Sequence, residues 1–239
     1  MSKFIRTIVI FILVGSSLLV SVAAPPLQDL SGATTVTHDQ TGFLTFIGLD
    51  TAQRGTALPG ATALQGGSPS AATALADISV YAAQFGLDNP AQELQLKQSE
   101  ATPTSTVFRY QQVYQGIPVL AGELLANYDA GGRLSAIAGE TSPKLTLPTT
   151  AAVTAATAAE LAGGYGAKDS GAPAAELVAA PPALWIYAAR LLQPSDFPAR
   201  LVWRTEVTPV QGHLPIRYLV LIDAQLPTVA LAFNQVDTL

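Results

Sequence analysis

The stretch from Thr106 to Gly139 constrains the fold most, because short apolar runs alternate there with turn-forming signals. Thr106–Tyr114, Ile117–Leu120, Glu123–Tyr128 and Arg133–Gly139 read as strands, divided by Gln115-Gly116, Ala121-Gly122 and Asp129-Ala130-Gly131-Gly132. Strands joined by so few residues pair with their sequence neighbours, which gives an antiparallel meander. In the first run Phe108, Tyr110, Gln112 and Tyr114 share one face, and Val107, Arg109, Gln111 and Val113 share the other. The predicted sheet therefore has an apolar face that another element must cover.

The segment Ser70–Phe85 is the natural cover. Ser70 is a predicted N-cap, Ala71, Leu75, Ile78, Ala82 and Phe85 recur at helical spacing, and Gly86 supplies the left-handed stop. A helix this short is marginal alone in water and must dock its stripe, so Leu75, Ile78 and Phe85 are predicted core. Upstream, Phe43–Gly48 reads as a strand apolar on both faces, and Gln53–Ser68 as a mobile connection rich in Gly, Ala, Thr and Pro.

The pattern repeats beyond the Pro143–Pro148 joint. An Ala-rich helix, capped by Thr150 and stopped by Gly163-Gly164, precedes strands at Leu184–Ala188, Leu201–Val207, Ile216–Ile222 and Val229–Phe233. One helix followed by a run of strands, twice over, predicts an α+β fold of two consecutive units, each an amphipathic helix packed on an antiparallel sheet. The expected division is 41–142 and 143–239, after a flexible leader at 24–40. Trp185 and Trp203, in apolar strands, are predicted core, and Arg204 with Glu206 a solvated pair.

The N-terminus sets the compartment. Lys3 and Arg6 precede an apolar run, Ile8–Val20, that ends in Ser21, Val22, Ala23 and Ala24. This is the layout of a secretory signal peptide over 1–23, cleaved after Ala23, and it implies an extracellular protein. The alternative is an uncleaved anchor, against which the run is short and lacks a basic stop. The net charge is −5, and loss of Lys3 and Arg6 makes the secreted chain more acidic still. With no basic run to neutralise phosphates, nucleic acid is not an expected partner. The absence of cysteine excludes disulfides and thiolate chemistry.

No catalytic constellation emerges. His38 and His213 are far apart and neither has a second ligand at helical spacing, so both read as surface histidines and no metal is expected. There is no Gly-x-Ser-x-Gly elbow. Gly163-Gly164-Tyr165-Gly166 lacks the strand and the Lys of a phosphate loop and reads as a helix stop. Glu123, Asp129, Glu140, Glu206 and Asp223 are carboxylates on strands and turns, whose pairing only a structure can define. No cofactor is expected, and the chain reads as one that acts by binding.

The run Phe-Arg-Tyr-Gln-Gln-Val-Tyr-Gln-Gly-Ile-Pro-Val-Leu-Ala-Gly-Glu, residues 108–123, resembles the core motif of the fungalysin/thermolysin propeptide domain. The matching positions are Arg109, Tyr110, Gln111, Gln112, Tyr114, Gly116, Pro118, Val119, Gly122, Glu123, Asp129, Gly131 and Gly139, and Phe85-Gly86-Leu87 fits the end of the preceding family helix. Downstream, Leu201, Trp203, Asp223 and Ala224 resemble a PepSY-like unit, although Gln225-Leu226-Pro227-Thr228 replaces the usual Thr-Gly. The likeness spans about Thr41–Asn234.

It implies a non-catalytic intramolecular chaperone and inhibitor of a secreted thermolysin- or fungalysin-like zinc metalloprotease, acting in cis or in trans. In the family a protease domain with a zinc motif follows, and this sequence contains none. The alternative is a free-standing secreted protease inhibitor or cell-envelope interaction module. The hairpin motif is read as mainly structural, with Arg109 and Glu123 paired across strands, against an aromatic face offered to a partner. Ile216, Tyr218, Asp223, Phe233 and Asn234, on the strands that lead toward the enzyme in the family, are the candidate partner-facing residues.

Overall fold

The computed structural model describes residues 30–50, 55–62, 67–211 and 214–236; the predicted signal peptide and His213 lie outside them. The elements are β1 (Thr34–Thr37), β2 (Leu44–Gly48), α1 (Ala71–Tyr81), α2 (Pro90–Glu93), β3 (Leu94–Ala101), β4 (Ser105–Tyr114), β5 (Ile117–Asp129), β6 (Leu134–Glu140), α3 (Ala155–Ser170), β7 (Leu177–Ala179), β8 (Ala183–Tyr187), β9 (Arg200–Pro209), β10 (Tyr218–Asp223) and β11 (Val229–Asn234). The fold is mixed α+β with a long curled sheet. Its strands run in the order β1-β2-β6-β5-β8-β9-β10-β11, with β3 and β4 attached at β5 and β7 at β9. Pairing is antiparallel except for one parallel bridge, Val119 to Ile186, which joins strands before residue 142 to strands after it. Both residues are fully buried, and nothing in the strand pattern announces the junction.

Helix α1 covers the meander. The Ser70 hydroxyl accepts from the Thr73 N–H at 3.1 Å, the helix tightens into a 3-10 turn at Ala82–Phe85, and Gly86 closes it at φ 76°. The inward line is Ala74, Asp77, Ile78, Tyr81, Ala82 and Phe85, while Leu75 is only half-buried. The helix is thus turned slightly from the predicted stripe, and the cause is Asp77. Its carboxylate accepts from the Tyr128 hydroxyl at 2.6 Å, the Thr62 N–H at 2.7 Å and the Thr62 hydroxyl at 2.6 Å. A buried charge is tolerated when hydrogen-bonded in this way. Around it Ile78, Tyr81 and Phe85 pack with Ile47, Tyr110, Leu124 and Ile137, and Phe108 meets Tyr128 edge to face at 5.8 Å.

Several expectations are corrected. Within the predicted leader, β1 pairs with β2 from Thr34↔Gly48 to Thr37↔Leu44. All of its side chains are exposed, so it is held by backbone bonds and shows no apolar alternation. The described part of the 53–68 connection is anchored at 58–59: Leu58 is buried, its N–H reaches the Leu134 carbonyl at 2.9 Å, and Tyr81 donates to the Pro59 carbonyl. Strands β3 and β7 and the short α2 were not foreseen; in β3 only Leu94 is buried. The two runs Ile117–Leu120 and Glu123–Tyr128 form one strand, β5, which bends at Ala121, where φ is 61°.

Helix α3 begins later and ends later than its sequence suggests. Thr154, not Thr150, is the cap, accepting from the Thr157 N–H at 3.2 Å, and the helix runs through Gly163-Gly164 to stop at Gly171. Glycine costs about 1 kcal/mol relative to alanine in a helix, and docking outweighs that cost here. Ala158, Ala162 and Gly166 form the buried line, packed with Leu177, Val207 and Val220. A Cβ on Gly166 would stand 3.0 Å from Val207 Cγ1, so a small residue lets helix and sheet close. Among the described residues no helix is long and apolar enough to cross a membrane.

Candidate partner-binding surface

The motif residues lie at the centre of the meander. Gln115 and Gly116 both have positive φ, 50° and 82°, and Tyr114 pairs with Ile117, which makes a two-residue turn matching the twist of β4 and β5. A bulge between Gln111 and Val113 turns both glutamines inward. The Gln111 amide donates to the carbonyls of Val119 at 2.6 Å and Gly122 at 2.8 Å. Gln112 pairs with the backbone of Ser142, donating to its carbonyl at 2.9 Å and accepting from its N–H at 2.8 Å. The two side chains satisfy backbone groups that the bend at Ala121 and the end of β6 leave unpaired. Val119 is fully buried at the parallel bridge, with Pro118 just before it, opposite Val113.

Tyr110 is buried and donates to the Ala71 carbonyl, and burial raises its pKa. Tyr110 and Phe108 belong to the core, and Tyr114 is half-buried, so the aromatic face of β4 points into the fold. Gly139, at φ 129°, has room for no side chain, since a Cβ would lie 2.1 Å from the Glu123 carbonyl oxygen.

Arg109 and Glu123 pair across β4 and β5 at 2.6 Å, as the sequence suggests, and Lys97 on β3 binds the other carboxylate oxygen. Burial pushes the Glu123 carboxyl up, but hydrogen bonds from Lys97 and Arg109 outweigh it and hold the pKa below the usual range. Asp129 behaves alike: burial raises it, and bonds from the Arg133 N–H and guanidinium and the Gly131 N–H lower it further. Glu206 binds Arg204 and Arg217, and Asp223 lies 3.5 Å from Arg200. These carboxylates close turns and cross-link strands. Glu140 is half-buried opposite Glu123. His38, half-buried, accepts from the Gln40 N–H through Nδ1 and so donates from Nε2 to the Arg190 carbonyl, 3.3 Å away. No His, Asp and Glu grouping suited to a metal occurs among the described residues.

The C-terminal strands carry the remaining candidates. One face of β9 and β10 packs on α3, and Tyr218 belongs to that face. Its hydroxyl donates to Asp169 at 2.6 Å, which with burial pushes its pKa up to about 12. Ile216 and Asp223 are buried as well, the latter accepting from the N–H groups of Gln225 and Leu226 in the reshaped turn. These three therefore do not face outward, because the docking of α3 and the turn consume them. Asn234 clamps the end of β11, accepting from the Arg217 N–H at 3.0 Å and donating to the Pro215 carbonyl at 3.1 Å. Phe233 is 45% exposed.

What the sequence reading missed is the open edge on which Phe233 lies. β11 pairs with β10 alone among the described strands, and Leu226 and Val229 are exposed near its other end, Val229 opposite Ile222 on the α3 side. On the face opposite α3, Trp185 is half-buried rather than core, with the Arg204 guanidinium 5.3 Å above its ring. Arg217 joins Arg204 on Glu206. Trp203 is also half-buried, its indole donating to the Val153 carbonyl at 2.8 Å. The clue was available: Val229–Asn234 contains neither a charge nor a proline, the usual guards of an exposed edge.

Residues 92–141 match the family model of the Fungalysin/Thermolysin Propeptide Motif, so the chain carries that motif at the meander where its residues suggested it. Among solved structures, the Bacillus megaterium YpeB C-terminal domain is similar at 12% identity, over 84% of this chain and 81% of that one, with a TM-score of 0.37. Comparison with curated proteins finds no match.

Proposed function

We propose that the chain is a non-catalytic propeptide-like module that binds, inhibits and assists the folding of a secreted thermolysin- or fungalysin-like metalloprotease. The observation that carries this reading is the propeptide motif at 92–141. The chain divides on this reading into a propeptide-motif unit, 41–142, and a PepSY-like unit, 143–239, exported by the signal peptide at 1–23. The motif residues hold the first unit together. Contact with the enzyme falls to the open edge of β11 and the apolar residues beside it.

An uncharged edge strand accepts a partner's strand through its backbone, with neighbouring side chains setting specificity. Phe233 supplies apolar area on the face opposite α3 and Val229 on the other, and Trp185, Arg204 and Arg217 are residue types enriched at interfaces. The test titrates the chain lacking residues 1–23 against a mature thermolysin-like protease. Inhibition is expected, and Phe233→Asp should weaken it about tenfold or more, as loss of a buried anchor does. Leu96→Asp on the exposed strand β3 should not. Absence of inhibition at micromolar concentration by folded protein overturns the inhibitor role, and equal effects of the two variants overturn the assignment to β11.

A further inference from the structure

A second surface, which includes no residue of β11, is built around Arg190. Three adjoining depressions, of about 410, 460 and 530 Å³, share Gln40, and the first two share Arg190. Together they make a groove longer than a small anion requires. One end is the segment joining β6 to α3, and the other is Gln193–Phe197, where Phe197 is 70% exposed.

The guanidinium at the centre is positioned but not neutralised. Its Nη2 donates to the Ser142 hydroxyl at 2.9 Å and toward the Pro143 carbonyl at 3.4 Å, and the Arg190 carbonyl is held by His38. Arg190 Nε is buried without an acceptor, and no carboxylate lies within ion-pair distance among the described residues, whereas Arg109, Arg133, Arg200, Arg204 and Arg217 each have one. A buried donor without a partner costs free energy, and a guanidinium with no counter-charge attracts an anion to the depression it lines.

Lys144 lines the same depression, exposed and at φ 51°, a left-handed backbone uncommon for a residue with a side chain. Among the described residues no Asp or Glu lines this depression, although the chain is acidic overall. Asp39 and Glu140 line the neighbouring one, which confines an anion to the Lys144 side of Arg190. We propose that Arg190 and Lys144 form an anion subsite within a peptide groove, one that takes the carboxylate of an extended peptide.

The carboxylate can come from an acidic side chain or from a peptide C-terminus, and three peptides of equal length separate these sources. One is an alanine-serine peptide with a free C-terminus, one is amidated with a central Glu, and one is amidated and neutral. Amide resonances of Gln40, Thr41, Lys144 and Thr146 are followed while each is titrated into the isotope-labelled chain. At least one carboxylate peptide should shift them saturably and the neutral peptide should not. Which one does so identifies the source.

Arg190→Gln should weaken the binding about tenfold or more, the usual worth of a hydrogen bond to a charged group. Because Arg190 also holds Ser142, Lys144→Gln is the second variant. Lys144 makes no ion pair among the described residues, and its loss should weaken binding severalfold and flatten its salt dependence. No shift at millimolar peptide, equal binding of the neutral peptide, or unchanged affinity in Lys144→Gln overturns the proposal.

Discussion

Removing the carboxylate of Asp77, the one charged residue of α1, should be strongly destabilising, and the cost should be shared with Tyr128. Asp77 and Tyr128 are each 1% exposed, and their 2.6 Å hydrogen bond is buried. Thr62, the other partner, is exposed, so water can replace Asp77 at its N–H and hydroxyl. Loss of the carboxylate thus leaves one group stranded, the Tyr128 hydroxyl. A hydrogen bond to a charged group contributes about 1.5–3 kcal/mol, and an orphaned buried donor costs about 1–3 kcal/mol. Asp77→Ala should therefore destabilise by about 3–5 kcal/mol, once the collapsed space around α1 is included. Tyr128→Phe, which keeps the ring against Phe108, should cost about 1.5–3 kcal/mol.

The double-mutant cycle isolates the pair. In Tyr128→Phe the second change, Asp77→Ala, removes a charge that has already lost its buried donor, and the coupling should reach about 1.5–3 kcal/mol. Urea unfolding measures it: with a slope of about 2 kcal/mol per molar, a 3 kcal/mol loss moves the midpoint down by about 1.5 M. Additivity within about 0.5 kcal/mol, the behaviour of sites that do not interact, would show that Asp77 and Tyr128 act separately and would refute the account of why α1 turns this face inward.

Two further outcomes follow from the strands and from α3. Gly139→Ala should cost about 2–3 kcal/mol or more, since its Cβ would stand 2.1 Å from the Glu123 carbonyl oxygen; Gly164→Ala, where a Cβ meets nothing within 4 Å, should stabilise by about 0.5–1 kcal/mol, and equal effects in thermal unfolding would discredit both readings. Glu123→Gln tests the ion pairs: a carboxyl whose folded pKa is depressed stabilises above its unfolded value, near 4.3, and loses that contribution as pH falls through the folded one. The variant should be about 1 kcal/mol less stable than the parent at neutral pH, the upper range for partly exposed pairs, and the gap should close below about pH 4; a gap that persists in acid refutes it.

The strands of the meander could be read from sequence because their pairing is local. Tyr114 meets Ile117, and Tyr128 meets Leu134, so turn chemistry and alternation specify the register between them. Helix α1 was legible for a similar reason, since Ser70 and Gly86 act on their immediate neighbours. The errors share a different cause: each element is held by contacts that its own side-chain pattern does not announce. Thr34–Thr37 is a strand only because β2 offers it an edge. Lys97 sits on a polar strand that pairs with its neighbour β4 through the backbone, Ala101↔Thr106, and shows no apolar alternation. Gly163-Gly164 looks like a stop because glycine weakens a helix locally, yet Val207 and Leu177 hold that helix from outside.

The same logic sorts the candidate site. Ile216, Tyr218 and Asp223 were nominated for lying on the C-terminal strands, but α3 and the Gln225–Leu226 turn claim them. A residue's place along a strand does not say which face is covered, and that depends on where the preceding helix docks. Phe233 stayed outside because it belongs to β11, beyond which no described strand pairs. Arg190 escaped notice for the converse reason. A lone arginine near a proline-rich segment carries no signal, and its position matters only because the chain brings Gln40, Ser142 and Lys144 to it from across the fold. Sites assembled from the ends of distant segments need the closed sheet before they exist, whereas the motif residues, which make that closure, are written within one hairpin.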